Sequence, residues 1–285
     1  MSRHRPVDFD QFATRRTHEA STAPIEQLIT LFDRSNEAPV WGVGNAWSRL
    51  HYDGDFRLFR QGHTATALSL VFVQSKNRNT GGDPSALGGG ATDKHLIYEG
   101  LSRVAADAVL AGARSVHAEA LFSVWHPELV ALRASFKLPR HPSQIVVSKH
   151  GRLDFDALLF NVPEVPVHVI AAAEHMTRHA SALGARPWIR HIPLTGDDLR
   201  SALEQLREEE GIQRISAVGG RSTASHLVDS GLAQDLYLTT TSQVGGDPDT
   251  PWYSGAAAPS TTVITQKQWF DGTSRILFEH ILIRR

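Results

Sequence analysis

The sequence contains no cysteine, which removes disulfide bridges, thiolate metal sites and cysteine nucleophiles at once. Long apolar runs are missing as well. Stretches such as Ala108 to Ala111 fall far short of the roughly 20 residues that a membrane helix needs. Neither sign of charge dominates: 29 lysines and arginines stand against 30 aspartates and glutamates, for a formal net charge of -1. No global field therefore draws the chain to nucleic acid or to an anionic membrane. The first ten residues carry Arg3, Arg5, Asp8 and Asp10 and no apolar stretch, so they do not read as a secretory signal. These absences point to a cytoplasmic protein that acts on a small molecule, without nucleic-acid or membrane partners.

Several catalytic motifs are absent too. There is no G-x-G-x-x-G, no Gly-Lys-Ser/Thr of a P-loop, no G-x-S-x-G elbow and no H-E-x-x-H. His117-Ala118-Glu119 matches the H-x-E half of the zinc nucleobase deaminases, but their zinc also needs a P-C-x-x-C half. Without cysteine the metal cannot be held that way, and no metal site is expected.

What is present is ordinary globular material: 285 residues, 41% apolar and 21% charged. A chain of this size buries a sizeable core. Residues 1–63 read as an extension that packs onto the main domain, residues 64–285. In the extension, Ile25, Leu28, Ile29 and Phe32 sit at helical spacing and predict a helix over Pro24 to Arg34. Trp41, Trp47, Tyr52, Phe56 and Phe59 give it much to bury.

From about His63 strands and helices alternate. Strands are expected at Thr66–Ser75, Asp107–Leu110 (running on into Gly112), Ser143–Val147, Val165–Ala171, Ile212–Val218 and Leu236–Thr241. Asn77 to Gly90 reads as a glycine-rich loop. Helices are expected after Thr92 as N-cap, over Glu174–Leu183, over Asp197–Glu210 with Thr195 as cap, and over Ser222–Asp229. Thr262–Phe270, the Asp271-Gly272 turn and Arg275–Ile283 form a closing hairpin. The alternation predicts an α/β fold: a mixed, mostly parallel sheet with helices on both faces and a C-terminal β-hairpin.

Three strand ends carry the chemistry. Ile215 to Thr223 runs a strand into Gly219-Gly220-Arg221-Ser222-Thr223 and then a helix. Glycines admit a phosphate close to the backbone, and a helix N-terminus offers free N–H groups. A plain tight turn is the bland alternative for this segment alone. Ala108 to Ser115 repeats the theme with Gly112, Ala113, Arg114 and Ser115. The third end, Ser148-Lys149-His150-Gly151-Arg152, adds Lys149 and Arg152, cations suited to a 2′-phosphate. In open α/β sheets ligands bind outside such carboxyl ends, so three together favour a dinucleotide.

The same segments resemble the reductase domain of the riboflavin-biosynthesis deaminase–reductases, a relative of dihydrofolate reductase. Thr92 to Ser115 looks like that family's helix-to-strand block, and Val218 to Thr240 resembles its two-glycine block, in the same order. The resemblance spans about residues 64–283. It implies a dihydrofolate-reductase-like three-layer fold, NADPH as hydride donor, a pyrimidine-, pterin- or flavin-like substrate and a homodimer. It implies that Gly112, Ala113, Arg114, Ser115, Ser148, Gly219, Gly220, Arg221, Ser222 and Thr223 line the cofactor, beside Lys149 and Arg152 of the third strand end. By the same likeness Ser75 and Asn77 are catalytic positions, while Gln74, Asp93 and Arg133 bind substrate.

The chain also departs from the family pattern. Asn77 and Arg78 replace the family's Asp and Gly, and Val218 replaces a Glu before the glycines. His126 to Arg133 resembles only the tail of the family's Asp-Asp-Pro segment. Another acceptor on the same fold, or a nucleotide-binding module without catalysis, remain alternatives at this point.

Overall fold

In the computed structural model, which describes residues 8–60, 62, 65–82, 87–196, 198–255 and 257–284, the first helix starts at a cap. The Asp8 carboxylate accepts the N–H groups of Asp10 (3.0 Å) and Gln11 (3.3 Å) and starts α1, Phe9–Thr22. Arg3, Arg5, His63 and Asp197, on which parts of the sequence reading rest, lie outside the described residues, as do residues 83–86 of the glycine-rich loop.

The helix expected over Pro24 to Arg34 is corrected to a strand, β1 (Ile29–Asp33), antiparallel to the last hairpin. Only Leu28 of the apolar set is fully buried, while Ile29, Leu31 and Phe32 are exposed on the sheet edge. An unpaired strand edge, together with the β-forming Ile29, Thr30 and Phe32, outweighed the helical spacing. β2 (Val40–Val43) and β3 (Phe56–Phe59) pair with each other, with α2 (Ala46–Tyr52) between them.

The main sheet then builds from β4 (Ala67–Gln74). A short helix α3 (Gly90–Thr92) widens into a π-helical stretch, Asp93–Leu101. Thr92 does not cap it: the cap position is Gly89, and Thr92 Oγ1 instead accepts the Glu26 N–H at 2.8 Å. β5 (Ala108–Gly112), α4 (Pro127–Ser135), β6 (Ser143–Val147) and β7 (Val167–Ala171) follow. The helix expected over Glu174 to Leu183 is broken into α5 (Ala173–Met176), a 3₁₀ turn (Thr177–His179) and α6 (Ala180–Gly184). β8 (Ile189–Pro193) was hidden in the sequence by Arg190 and His191, which interrupt its apolar run.

α7 (Leu199–Glu210) is capped by Asp198 rather than Thr195 and ends at left-handed Gly211. β9 (Arg214–Ala217), α8 (Arg221–Asp229), β10 (Asp235–Thr240), β11 (Ser260–Asp271) and β12 (Ser274–Arg284) complete the chain.

The ten strands run in the order β1-β11-β12-β10-β4-β9-β5-β6-β7-β8. From β10 to β8 every pairing is parallel, and β12, β11 and β1 add antiparallel strands at one edge. Alternation along each strand feeds two cores. Leu68, Leu70, Phe72, Leu110 and Ile215 face α7 and α8, while Val71, Val109, Ala111 and Val146 face the other layer. The expected three-layer α/β architecture is what forms.

The extension shares the second of these cores. Phe12, Leu28, Tyr52 and Phe56 join the same cluster as Leu96, Trp125 and Phe160. The Phe12 ring meets Trp125 edge-on at 5.6 Å. Lys267 of β11, buried, donates to Thr30 Oγ1 (2.6 Å) and Asp53 O (3.0 Å) and lies over the Tyr52 ring. Phe12→Ala is therefore expected to cost about 3–5 kcal/mol of stability, read by urea denaturation. A loss below about 1 kcal/mol would mean that the helix only rests on the surface.

Candidate cofactor and substrate site

β9 inserts between β4 and β5, so the chain reverses its direction of travel across the sheet there. That crossover is where an open α/β sheet leaves a crevice at its carboxyl ends. The glycine turns of β5 and β9 meet at this point. Val218 N–H donates to Leu110 O at 2.9 Å, and a Cβ on Gly112 would lie 2.9 Å from Thr223 Oγ1. Gly112 therefore lets α8 approach the end of β5. Gly219 (φ +100°) and Gly220 (φ +81°) take backbone shapes that other residues adopt only under strain.

Gly220 is also the N-cap of α8, and no side chain caps that helix end. α7, by contrast, has the Asp198 carboxylate over its first N–H groups. The N-terminus of α8 opens on a cleft of about 910 Å³ bordered by Gly112, Ala113, Arg114, Ser148, Lys149, Arg152, Gly220, Ser222 and Thr223. This volume sits at the upper end of the usual range for cofactor pockets, about 300–1,000 Å³. Of the residues expected at the cofactor, Ser115, Gly219 and Arg221 are not among those that border it. Ser115 Oγ would be 3.7 Å from a Cβ on Gly219.

Sequence reading missed His150, Arg178, His179 and His226, which add to the basic rim. Arg178 and His179 were hidden inside what read as a helix. Asp154 is the one acid among the lining residues, in a chain whose overall charge is close to zero.

The substrate-side expectations fare differently. Gln74, at the end of β4, donates to Thr240 Oγ1 at 2.9 Å and joins the ends of β4 and β10. Ser75 is fully buried. Its hydroxyl lies 2.8 Å from Gly245 O and 2.7 Å from Asn77 Oδ1, and it accepts the Asn79 N–H at 3.2 Å. Asn77 Oδ1 also accepts the Gly245 N–H at 3.1 Å. Both groups staple the loop after β4 to the loop after β10.

Arg133, itself in α4, is buried and donates to Pro139 O (2.7 Å), Arg103 O (3.0 Å) and Ala106 O (2.6 Å), so its fork ties α4 to the neighbouring loops. Glu119 of the H-x-E triplet pairs with Arg15 of α1 at 2.7 Å. No cluster of metal-ligating side chains occurs among the described residues.

Asp93 is different. Its carboxyl is buried at the start of the π-helical stretch and accepts a hydrogen bond from the Thr239 hydroxyl near the end of β10. Burial pushes its pKa up to about 6, against the lowering effect of Thr239. The carboxyl thus stands beside the strand ends of β4 and β10, with a proton it exchanges near neutral pH. Thr239 had no signal in the sequence, because it meets Asp93 across 146 residues.

Comparison with known proteins agrees with the fold. A family model described as the RibD C-terminal domain matches residues 81–278. A pyrimidine reductase-like protein from Corynebacterium diphtheriae superposes with a TM-score of 0.63 at 19% identity, over 77% of this chain and 92% of that one. The riboflavin biosynthesis reductase of Saccharomyces cerevisiae gives 0.53 at 18% identity, over 78% and 92%. The deaminase/5-amino-6-(5-phosphoribosylamino)uracil reductase of Thermotoga maritima gives 0.53 at 16% identity, over 77% of this chain and 57% of that one. At such identities the superpositions speak to fold. No curated protein matches by sequence. The family match covers well over half of the chain, and with the two motif blocks in their expected order it identifies this protein as a member of the RibD C-terminal domain family, a reductase family.

Proposed function

We propose that the protein is an NADPH-dependent reductase that transfers hydride to a pyrimidine-like heterocycle, as the family's aminouracil reductases do. The observation that carries the cofactor reading is the joining of an uncapped helix N-terminus to a basic rim in one cleft. α8 would take the diphosphate on its free N–H groups, with Ser222 and Thr223 as added donors. Lys149 and Arg152 would meet a 2′-phosphate, which distinguishes NADPH from NADH.

The bound cofactor supplies the hydride, and the chain supplies position and a proton. The Ser75–Asn77–Gly245 staple fixes the loop over the strand ends. Asp93 exchanges the proton that accompanies reduction, as a carboxyl with a pKa close to the working pH does best.

The extension, residues 1–63, belongs to this same domain in our reading, with its core contacts as support. A homodimer fits as well, and the exposed Ile29, Leu31 and Phe32 of edge strand β1 favour it. A cytoplasmic location is consistent with the lack of cysteine, and no described helix is long and apolar enough to cross a membrane.

Thermal unfolding with NADPH, NADP⁺ and NADH tests the cofactor. At a hundredfold excess over Kd a ligand adds about 2.7 kcal/mol, a rise of several degrees. A rise with the phosphorylated forms alone is expected, and none with any nucleotide would refute the reading. Turnover of a ribosylamino-pyrimidine against dihydrofolate then separates the acceptors.

A further inference from the structure

The loop after β6 is held by the segment after β7, whose Arg178 and His179 also border the cleft. His150 O accepts Arg178 Nη2 at 2.5 Å, and Gly151 O pairs with His179 Nε2 at 2.8 Å. Arg152 O accepts Ser148 Oγ at 3.2 Å. Arg178 Nε also donates to His175 O at 3.0 Å, so one guanidinium joins the loop to the segment after β7. Gly151 (φ +59°) presses directly on that segment, since a Cβ there would lie 2.5 Å from His175 Cβ. Three successive carbonyls are therefore turned onto donors, while the side chains of Lys149 and Arg152 line the cleft. The 3₁₀ turn Thr177–His179, which breaks the helix expected there, carries both residues that grip the loop.

We propose that Arg178 and His179 are positioning residues that set the preference for a 2′-phosphorylated dinucleotide, by holding the 149–152 loop in the form that presents Lys149 and Arg152. This inference rests on the NADPH reading above. A loop fixed before binding spares the ligand the entropy of ordering it. The benefit falls on ligands whose phosphate uses the loop, and NADH has no such phosphate.

The test uses the full chain as wild type, Arg178→Ala, Arg178→Lys and His179→Ala. Dissociation constants are measured for NADPH, NADH and adenosine 2′,5′-bisphosphate, with melting temperatures taken without ligand. Arg178→Ala is expected to weaken NADPH and the bisphosphate about tenfold, the effect of losing a charged hydrogen-bond pair, with NADH changing less than about twofold. His179→Ala should shift the same ratio by a smaller factor. Arg178→Lys should recover part of the loss, because an ammonium reaches a carbonyl but lacks the fork that spans two.

A purely structural role would weaken NADPH and NADH alike, and that result overturns the proposal. Wild-type selectivity that survives both alanine variants overturns it too while leaving the cofactor reading intact. Wild type that binds NADPH and NADH equally overturns the cofactor reading itself.

Discussion

Gly220→Val is expected to weaken NADPH binding by about two orders of magnitude, or roughly 2.7 kcal/mol, in a protein that still folds. Gly220 has φ +81° and ψ 94°, a region closed to a β-branched side chain. A Cβ would also stand 3.3 Å from Thr223 Oγ1. Holding the native turn would cost about 1–3 kcal/mol of backbone strain, so the turn relaxes and moves the first N–H groups of α8. The buried stripe of α8, which includes Ala224, Leu227 and Val228, lies beyond the turn and keeps the helix seated. Titration calorimetry measures the affinity, and the melting temperature reports the fold. Gly272→Ala is the control, since that glycine also has φ +61° but sits in the hairpin turn with nothing near its Cβ position. Unchanged NADPH affinity in Gly220→Val would remove α8 from the binding site.

Asp93→Asn is expected to lower turnover by a factor of about 10²–10⁴, the usual share of a positioned acid–base group. The same change should raise stability at pH 7.5. In the folded protein the Asp93 carboxyl has a pKa of about 6. In the unfolded chain it returns to about 3.9, so ionisation favours unfolding, and the difference amounts to about 3 kcal/mol. The stabilising contribution of the protonated group is complete below about pH 4 and is lost as pH rises through about 6. The asparagine variant lacks this titration. Its advantage over wild type should therefore be absent near pH 4, grow between pH 4 and 6, and level off above. Urea unfolding across that range measures it. A gain at every pH, or equal turnover, would remove Asp93 from the chemistry.

The strand ends were legible because their chemistry is local. Gly219-Gly220, Ser222 and Thr223 announce a turn and a helix start within a few residues of one another, and the architecture brings Gly112 against Thr223. The strands with unbroken apolar runs were legible for the same reason. What stayed hidden depends on distant partners. The spacing of Ile25, Leu28, Ile29 and Phe32 looks helical until β11 offers a strand edge. α1 escaped notice because its polar residues dilute Phe9, Phe12 and Ala20, although Asp8 was a readable cap. Ser75 and Arg133 carry groups that suit a substrate equally well, and only the three-dimensional structure shows that backbone groups already use them.

The late insertion of β9 has a consequence for how the chain acquires its shape. β4 and β5 are consecutive strands, yet they are not neighbours: β9, from residue 214 onward, separates them. As the chain leaves the ribosome, β5 to β8 find their partners in order of synthesis. β4 must wait for β9 and β10, more than a hundred residues later. Until then its apolar edges have no native mate, the condition that slows folding and invites wrong pairing. The cleft proposed for the cofactor is therefore among the last features of the molecule to be completed, and a chain interrupted before residue 214 holds most of the strands but lacks the wall that Gly220, Ser222 and Thr223 supply.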